Sequence, residues 1–154
     1  MPEAIAHLKG NFIAPNLRGI VEFYPWQNGT IVKVEVKNLP LTKPPFNNEP
    51  PIGPFGFHIH EGESCTDKHF ESAKGHYNPT NQPHPFHAGD LPSLLSNDGY
   101  AYMVVYTNRF KPKDIIDKTV IIHLNPDDNR SQPAGNAGDR IACGNIKKVT
   151  SLQT

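Results

Sequence analysis

Prolines and glycines recur along almost the whole chain, and this distribution limits the folds that it can adopt. Sixteen prolines and twelve glycines are spread over 154 residues. Proline ends or kinks a helix and glycine weakens its interior, so long helices are disfavoured. Many short strands joined by turns are favoured instead. The length suits one domain with one core, and we expect that domain to span residues 1–154.

Short segments in which apolar and polar residues alternate predict the strands. In the clearest segment, Val32, Val34 and Val36 alternate with charged residues. The dipeptide Asn28-Gly29 precedes this segment and predicts a turn. About eight such segments indicate an all-β sandwich or barrel. We place the strands at residues 4–10, 19–24, 32–37, 56–61, 90–95, 100–106, 120–122 and 140–149.

Three stretches between the strands have no periodic pattern and are interpreted as loops. Residues 40–54 contain six prolines, which indicates a rigid crossover, with a recognition segment as the alternative. Residues 62–89 form a long polar stretch, and residues 124–139 form a shorter one. A loop as long as 62–89 inside a compact domain is usually functional or held by something other than packing.

Charge and hydropathy exclude several classes of partner. The chain has 15 lysines plus arginines and 15 aspartates plus glutamates, so we expect neither nucleic acid nor a membrane surface as a partner. A run of about 18 apolar residues, which a membrane span needs, is absent from the sequence. The first residues are typical of a strand and not of a signal peptide. We therefore expect a cytoplasmic protein, although an exported mature chain would fit the sequence equally.

Two histidines on one predicted strand form the first candidate metal site. His58 and His60 flank Ile59, so both side chains leave the same face of the strand, roughly 7 Å apart. Two imidazoles in this arrangement can converge on one ion, and imidazole suits copper and zinc. The alternative is a polar face of an edge strand, which the apolar neighbours of these histidines disfavour.

A second candidate site lies at the end of the long loop. His76, His84, His87 and Asp90 fall within fifteen residues and could complete a tetrahedral zinc site with no open position. Such a closed site is structural and would order the loop. A solvated, histidine-rich loop is the alternative. His123 ends an apolar run, and by itself it fits a core histidine as well as a ligand.

Four segments carry a resemblance to a known family. They are residues 56–61 (GFHIHE), 75–79 (GHYNP), 87–91 (HAGDL) and 135–144 (GNAGDRIACG). In this order they resemble the successive signatures of copper/zinc superoxide dismutases, and the resemblance covers nearly the whole chain. It is closest to the compact bacterial or viral members, because the span from His84 to Asp90 is shorter than in the animal enzymes.

The resemblance implies a fold, an activity and two metal-ligand sets. The fold is an eight-stranded Greek-key β-sandwich or barrel with a long zinc-binding loop and a shorter channel loop. The activity is antioxidant: copper cycles between Cu(II) and Cu(I) and converts two superoxide anions and two protons into oxygen and hydrogen peroxide. The implied copper ligands are His58, His60, His76 and His123, and the implied zinc ligands are His76, His84, His87 and Asp90.

The resemblance also implies roles for individual residues. His76 bridges the two ions and acts catalytically by taking up a proton and surrendering it to peroxide. Arg140 is the second catalytic residue and docks the anion, which is attracted by this arginine, the metals and nearby lysines. Asp127 links a copper histidine to a zinc histidine, with Asp128 as the alternative if the loop is displaced by one residue.

A disulfide and a homodimer complete the expectations that follow from the family. Cys65 and Cys143 match the intramolecular disulfide, which the chain-entropy model equates with roughly 4–5 kcal/mol. The dimer is expected to differ from the animal type, because the spacing between His60 and His76 is redistributed. The alternative functions are a copper-handling or metal-storage domain without dismutase activity and a sandwich that holds only zinc.

Overall fold

Residues 1–150, which the computed structural model describes, form eight antiparallel strands in a nearly closed barrel. This confirms the predicted fold class; residues 151–154 of the predicted domain lie outside the described residues. The order across the sheet is β5-β4-β7-β8-β1-β2-β3-β6. The strands are β1 (Ala4–Gly10), β2 (Arg18–Trp26), β3 (Gly29–Lys37), β4 (Phe55–His60), β5 (Asp90–Leu94), β6 (Ala101–Thr107), β7 (Thr119–His123) and β8 (Arg140–Lys148).

Alternating burial along the strands places the core inside the barrel. Val32, Val34 and Val36 of β3 are all fully buried, as their alternation predicts. Strand β4 differs because it is buried at every position. Its aromatic residues and Ile59 pack in the hydrophobic core, while His58 and His60 occupy the opposite face. The barrel therefore buries two imidazoles on a strand that has no solvent-facing side.

The proline-rich stretch 40–54 contains a small hairpin, which the prediction of a loop did not include. Lys43 pairs with Ile52, and Phe46 pairs with Glu49 through two backbone hydrogen bonds. The two asparagines between Phe46 and Glu49 have φ angles of 47° and 65°, a left-handed conformation that asparagine tolerates. The prolines cannot donate backbone hydrogen bonds, which limits the pairing to isolated bridges.

The long loop 62–89 returns to the edge of β4 and is tied to the barrel at several points. The Glu61 amide donates to the Gly75 carbonyl at 2.8 Å, and the Tyr77 amide donates to the Ile59 carbonyl at 2.8 Å. The Cys65–Cys143 disulfide joins the loop to β8, as the family resemblance implied. No helix within residues 1–150 is long and apolar enough to cross a lipid bilayer.

Candidate metal centre

Two groups of potential metal ligands lie side by side and share one histidine. In each group, the ligand atoms are within 4.8 Å of one another. We name them the copper set and the zinc set after the family expectation. The copper set consists of His58, His60, His76 and His123, and the zinc set consists of His76, His84, His87 and Asp90. All seven residues are buried or nearly so, which separates the centre from bulk water.

The strands bring the copper set together. His58 and His60 lie on β4, and His123 ends the neighbouring strand β7, which pairs with β4 in antiparallel register. The Nε2 atoms of His60 and His123 are 3.3 Å apart. His76 arrives from the long loop, and its ring centroid lies 4.1 Å from that of His58. The four rings thus surround one small volume.

Outer hydrogen bonds determine which nitrogen of each copper-set ring faces that volume. His58 Nε2 donates to Asp127 Oδ2 at 2.7 Å, which leaves Nδ1 as the inward lone pair. His60 Nδ1 donates to the carbonyl of Lys74 at 2.8 Å, and His123 Nδ1 donates to the carbonyl of Gly138 at 3.2 Å. Both rings therefore turn Nε2 inward. An acceptor on the far nitrogen of a ligating histidine is typical of metal sites, because it fixes the tautomer and the ring orientation.

The zinc set has donor spacings close to those of a tetrahedral site. His76 Nδ1 lies 2.7 Å from Asp90 Oδ1 and 3.3 Å from His87 Nδ1. His84 Nδ1 and His87 Nδ1 lie 3.0 and 3.2 Å from Asp90 Oδ2. Two donors on a tetrahedral zinc ion at its usual bond lengths are separated by roughly 3.3 Å. The residues therefore fit the ion that the family implies.

Buried nitrogens without partners support the same fit. His58 Nδ1, His76 Nε2 and His84 Nδ1 are buried and make no hydrogen bond. His84 Nδ1 is 3.0 Å from Asp90 Oδ2 but is not aligned for a hydrogen bond, as expected for two lone pairs that point at one ion. A buried polar atom without a partner costs about 1–3 kcal/mol. Metal ions in the two sets would satisfy all three nitrogens.

His76 differs from the other copper-set histidines because both of its ring nitrogens face a ligand set. Its Nδ1 belongs to the zinc set and its Nε2 faces the copper set. We find no outer acceptor for this ring among the hydrogen bonds of residues 1–150, whereas His58, His60 and His123 each have one. A ring placed in this way can bind an ion at each nitrogen.

Asp127 connects the two sets from behind. Its Oδ2 accepts from His58 Nε2 at 2.7 Å and its Oδ1 accepts from His84 Nε2 at 2.8 Å. Burial alone would raise the pKa of Asp127, but these two hydrogen bonds outweigh it and hold the pKa well below its usual range. Gly135 makes room for the contact, since a Cβ there would lie 2.0 Å from Asp127 Oδ1. Asp128 instead accepts bonds from its own loop, so Asp127 is the linking carboxylate.

The electrostatics of the copper set favour neutral imidazoles. Burial lowers the pKa of His60 and of His123 well below the usual value, and the neighbouring histidines lower it further. Burial also lowers the pKa of His58, although its hydrogen bond to Asp127 opposes the shift. Only a neutral imidazole has a lone pair for a metal, so the barrel keeps these rings in the form that binds.

Arg140 lies at the start of β8, next to the copper set. Its guanidinium donates to the carbonyls of Phe70 and Lys74 at 2.7 and 2.6 Å. The Lys74 carbonyl also accepts from His60, so the arginine and a copper-set histidine share one acceptor. The guanidinium opens onto a surface depression lined by His69, Glu71, Gly138, Asp139 and Arg140. Two acidic residues, Glu71 and Asp139, are part of this lining.

Comparisons with known proteins agree with this geometry. The sequence model of the family described as copper/zinc superoxide dismutase (SODC) matches residues 17–146. This chain belongs to the copper/zinc superoxide dismutase family. It is 36% identical to superoxide dismutase (Cu-Zn) 1 of Aquifex aeolicus over 144 residues, which cover 84% of this chain and 79% of the relative. It is also 36% identical to the Cu-Zn superoxide dismutase of Legionella pneumophila over 137 residues, covering 84% and 77%.

A solved structure shows the same fold. The SOD-like protein of Bacillus subtilis superposes with a TM-score of 0.73 at 29% identity, over 91% of this chain and 95% of that chain. A double mutant of the same protein gives a TM-score of 0.73 at 31% identity, over 91% and 94% of the two chains. Both ligand sets of the family are complete in the present chain.

Every member of the two sets was named from the sequence and the family resemblance. Apart from Asp127, the groups that hydrogen-bond to these residues or to their neighbours were missed. The Lys74 carbonyl is one of these, and Lys74 adopts φ 61° and ψ −154°, a conformation rare for a residue with a side chain. Arg109 and Gln132 are two more, because both contact the backbone around His84. Neither residue has a sequence signal, since an isolated arginine or glutamine resembles any other surface residue.

Proposed function

We propose that this protein is a superoxide dismutase that converts two superoxide anions and two protons into oxygen and hydrogen peroxide. One observation carries the proposal: the copper set is complete, and outer acceptors favour the ligating tautomer of three of its four rings. His58, His60 and His123 turn a bare nitrogen inward because an outer acceptor holds the other nitrogen. A domain that only stores zinc would have no need of this second set.

The four copper-set histidines would hold a copper ion, and the zinc set would hold a zinc ion. When bound, copper supplies the one-electron redox chemistry, and zinc supplies charge without redox chemistry. The imidazoles of the copper set come mainly from paired strands, which cannot rearrange easily. This rigidity suits a metal that changes its oxidation state.

Arg140 binds the superoxide anion in the proposed mechanism. Its two bonds to the carbonyls of Phe70 and Lys74 fix the guanidinium plane, and its half-buried position keeps it next to the copper set. A guanidinium remains charged at any physiological pH and can donate to both oxygens of a small anion. The arginine thus orients the substrate where the inward nitrogens converge.

His76 supplies a proton in the second half of the reaction. Its Nδ1 lies in the zinc set beside Asp90, so the ring would carry the proton at Nε2 while that nitrogen is not a copper ligand; Nε2 is buried and has no protein partner. Nε2 faces the volume in which the anion would be reduced, so the ring can give one proton to the peroxide while solvent gives the second. The ring recovers its own proton from solvent in the next cycle. Asp127 keeps the neighbouring rings of His58 and His84 in place during this exchange.

The proposal is tested by measuring dismutation and metal content on the same purified sample, before and after loading with copper and zinc. We expect activity that rises with copper, up to about one copper and one zinc per chain. His7→Ala, an exposed histidine on β1, serves as the matched control and should keep full activity. Full loading with both metals but no dismutation would contradict the proposal and favour a metal-handling role.

A further inference from the structure

The segment 84–87 carries two zinc-set histidines, yet it belongs to no strand. His84 and His87 are separated by Pro85 and Phe86, and the segment lies outside every paired element. It makes few local hydrogen bonds: the Phe86 amide donates to the Pro83 carbonyl at 2.8 Å, and both backbone polar groups of His87 bond to Asp90. Buried or half-buried backbone groups in such a segment need partners from elsewhere. Two side chains from distant parts of the chain provide further partners.

Gln132 pairs with the backbone of His84 in the way that a neighbouring strand would. Its Oε1 accepts from the His84 amide at 2.9 Å, and its Nε2 donates to the His84 carbonyl at 2.7 Å. One side-chain amide therefore bonds to both the backbone N–H and the backbone carbonyl of His84. Gln132 lies in the loop that connects β7 to β8, and the same loop contains Asp127, which holds the ring of His84.

Arg109 bonds to two carbonyls of the segment. Its Nη1 donates to the carbonyl of Pro85 at 2.9 Å and to the carbonyl of His87 at 3.0 Å. The arginine comes from the connection between β6 and β7, so it ties the segment to another part of the barrel. By contacting both carbonyls, the guanidinium sets the spacing between them and hence the relative positions of His84 and His87.

We propose that Arg109 and Gln132 are positioning residues that set the zinc affinity of this chain, an inference that rests on the zinc assignment made above. The ring of His84 is oriented by Asp127, but its backbone is oriented by Gln132. Without the two side chains the segment would have to be ordered by the ion itself, at the expense of binding free energy. The side-chain hydrogen bonds of Arg109 and Gln132 go to the segment and to the Arg130 carbonyl, not to the copper set. Loss of either side chain should therefore lower the affinity for zinc and leave the affinity for copper unchanged.

The test compares Arg109→Met, Gln132→Leu and the double variant with the unchanged protein. Zinc affinity is measured on metal-free protein by competition with a chromogenic chelator, and copper affinity is measured in parallel. Loss of a partner outside the ligand shell typically costs about 10–100-fold in metal affinity. We expect a loss in this range for each single variant, a larger loss for the double variant, and unchanged copper affinity. Arg130→Met, an exposed arginine of the same loop, should bind zinc like the unchanged protein.

A second readout separates positioning from a general effect on stability. Cobalt(II) in place of zinc has visible absorption bands that report the geometry of its ligands, so both variants should alter these bands. The thermal midpoint of the metal-free variants should remain close to that of the unchanged protein.

Zinc affinity and cobalt bands that match the unchanged protein would overturn the inference. A fall in the metal-free midpoint that accounts for the whole loss of zinc affinity would also overturn it, because the two side chains would then only support the fold. Failure of the unchanged protein to take up zinc would contradict the proposed function instead.

Discussion

The two halves of the metal centre are built by different means. Three of the four copper-set histidines lie on β4 or at the end of β7, where backbone pairing places them. Two zinc-set residues, His84 and His87, lie in a segment outside every strand. Asp127 accepts a hydrogen bond from the ring of His84, and Arg109 and Gln132 bond to the backbone of the segment. The copper half therefore relies mainly on strand pairing, whereas this part of the zinc half relies on individual side chains.

This difference predicts how each half of the metal centre should respond to substitutions. Backbone ladders are cooperative and distribute any local change over many bonds, so the copper half should lose most function when a ligand is removed. Among side chains outside the copper set, Asp127 should matter most because it holds the ring of His58. The segment that carries His84 and His87 has few backbone bonds, so it should respond to the loss of any one of these side-chain bonds. His76 lies on the boundary and belongs to both halves.

The largest expected effect follows from removing a strand-borne ligand. His58→Ala should lower dismutation by more than about 100-fold, beyond the usual effect of an outer partner. The zinc set should persist, since His58 is not part of it. Activity and metal content per chain check this prediction, with His7→Ala as the control. Loss of zinc together with copper would show that the two halves are not separable.

Removing the disulfide should weaken the anchoring of the loop. The double variant Cys65→Ser with Cys143→Ser frees the start of the loop from β8, and we expect the free energy of unfolding to fall by about 2–5 kcal/mol. Urea unfolding of the metal-free protein measures the change. An unfolding curve identical to that of the unchanged protein would mean that backbone bonds such as Tyr77 to Ile59 already anchor the loop fully.

Asp127→Asn should weaken both halves at once. Asparagine can accept from the Nε2 of one histidine only, because its amide group would face the N–H of the other. We expect the affinities for copper and for zinc to fall by about 10–100-fold. Titration of each metal measures them, and Asp128→Asn is the control because Asp128 bonds within its own loop. An effect on one metal alone would show that only one of the two hydrogen bonds matters.

The smallest expected effect is a pH dependence of the stability of the metal-free protein. His60 and His123 have a folded-state pKa well below the usual value, so the unfolded chain binds more protons, and stability should fall as the pH drops below about 6.5. The pKa of Asp127 is lowered instead, so its contribution is lost only below about pH 4. Urea unfolding at pH 7.5, 6 and 5 checks this; equal stability at all three would contradict it.

Most of the fold could be predicted from local patterns. The alternation of Val32, Val34 and Val36 fixed the buried face of β3, and the spacing of His58 and His60 placed both rings on one face of β4. The hairpin within 40–54 was missed, because prolines remove the periodic signal on which strand prediction depends.

The residues of the two ligand sets could be named from the sequence. Chemistry and spacing indicated His58 with His60 and the zinc set, and the family resemblance added His123 and the sharing of His76. Tertiary structure alone decided what holds them: which nitrogen of each ring faces inward, the choice of Asp127 over Asp128, and the contacts of Arg109 and Gln132 around His84. The physical reason is that these contacts join segments far apart in the chain. Hydrogen bonds between a side chain and a distant backbone group leave no pattern in the neighbouring residues, so only the folded chain reveals them.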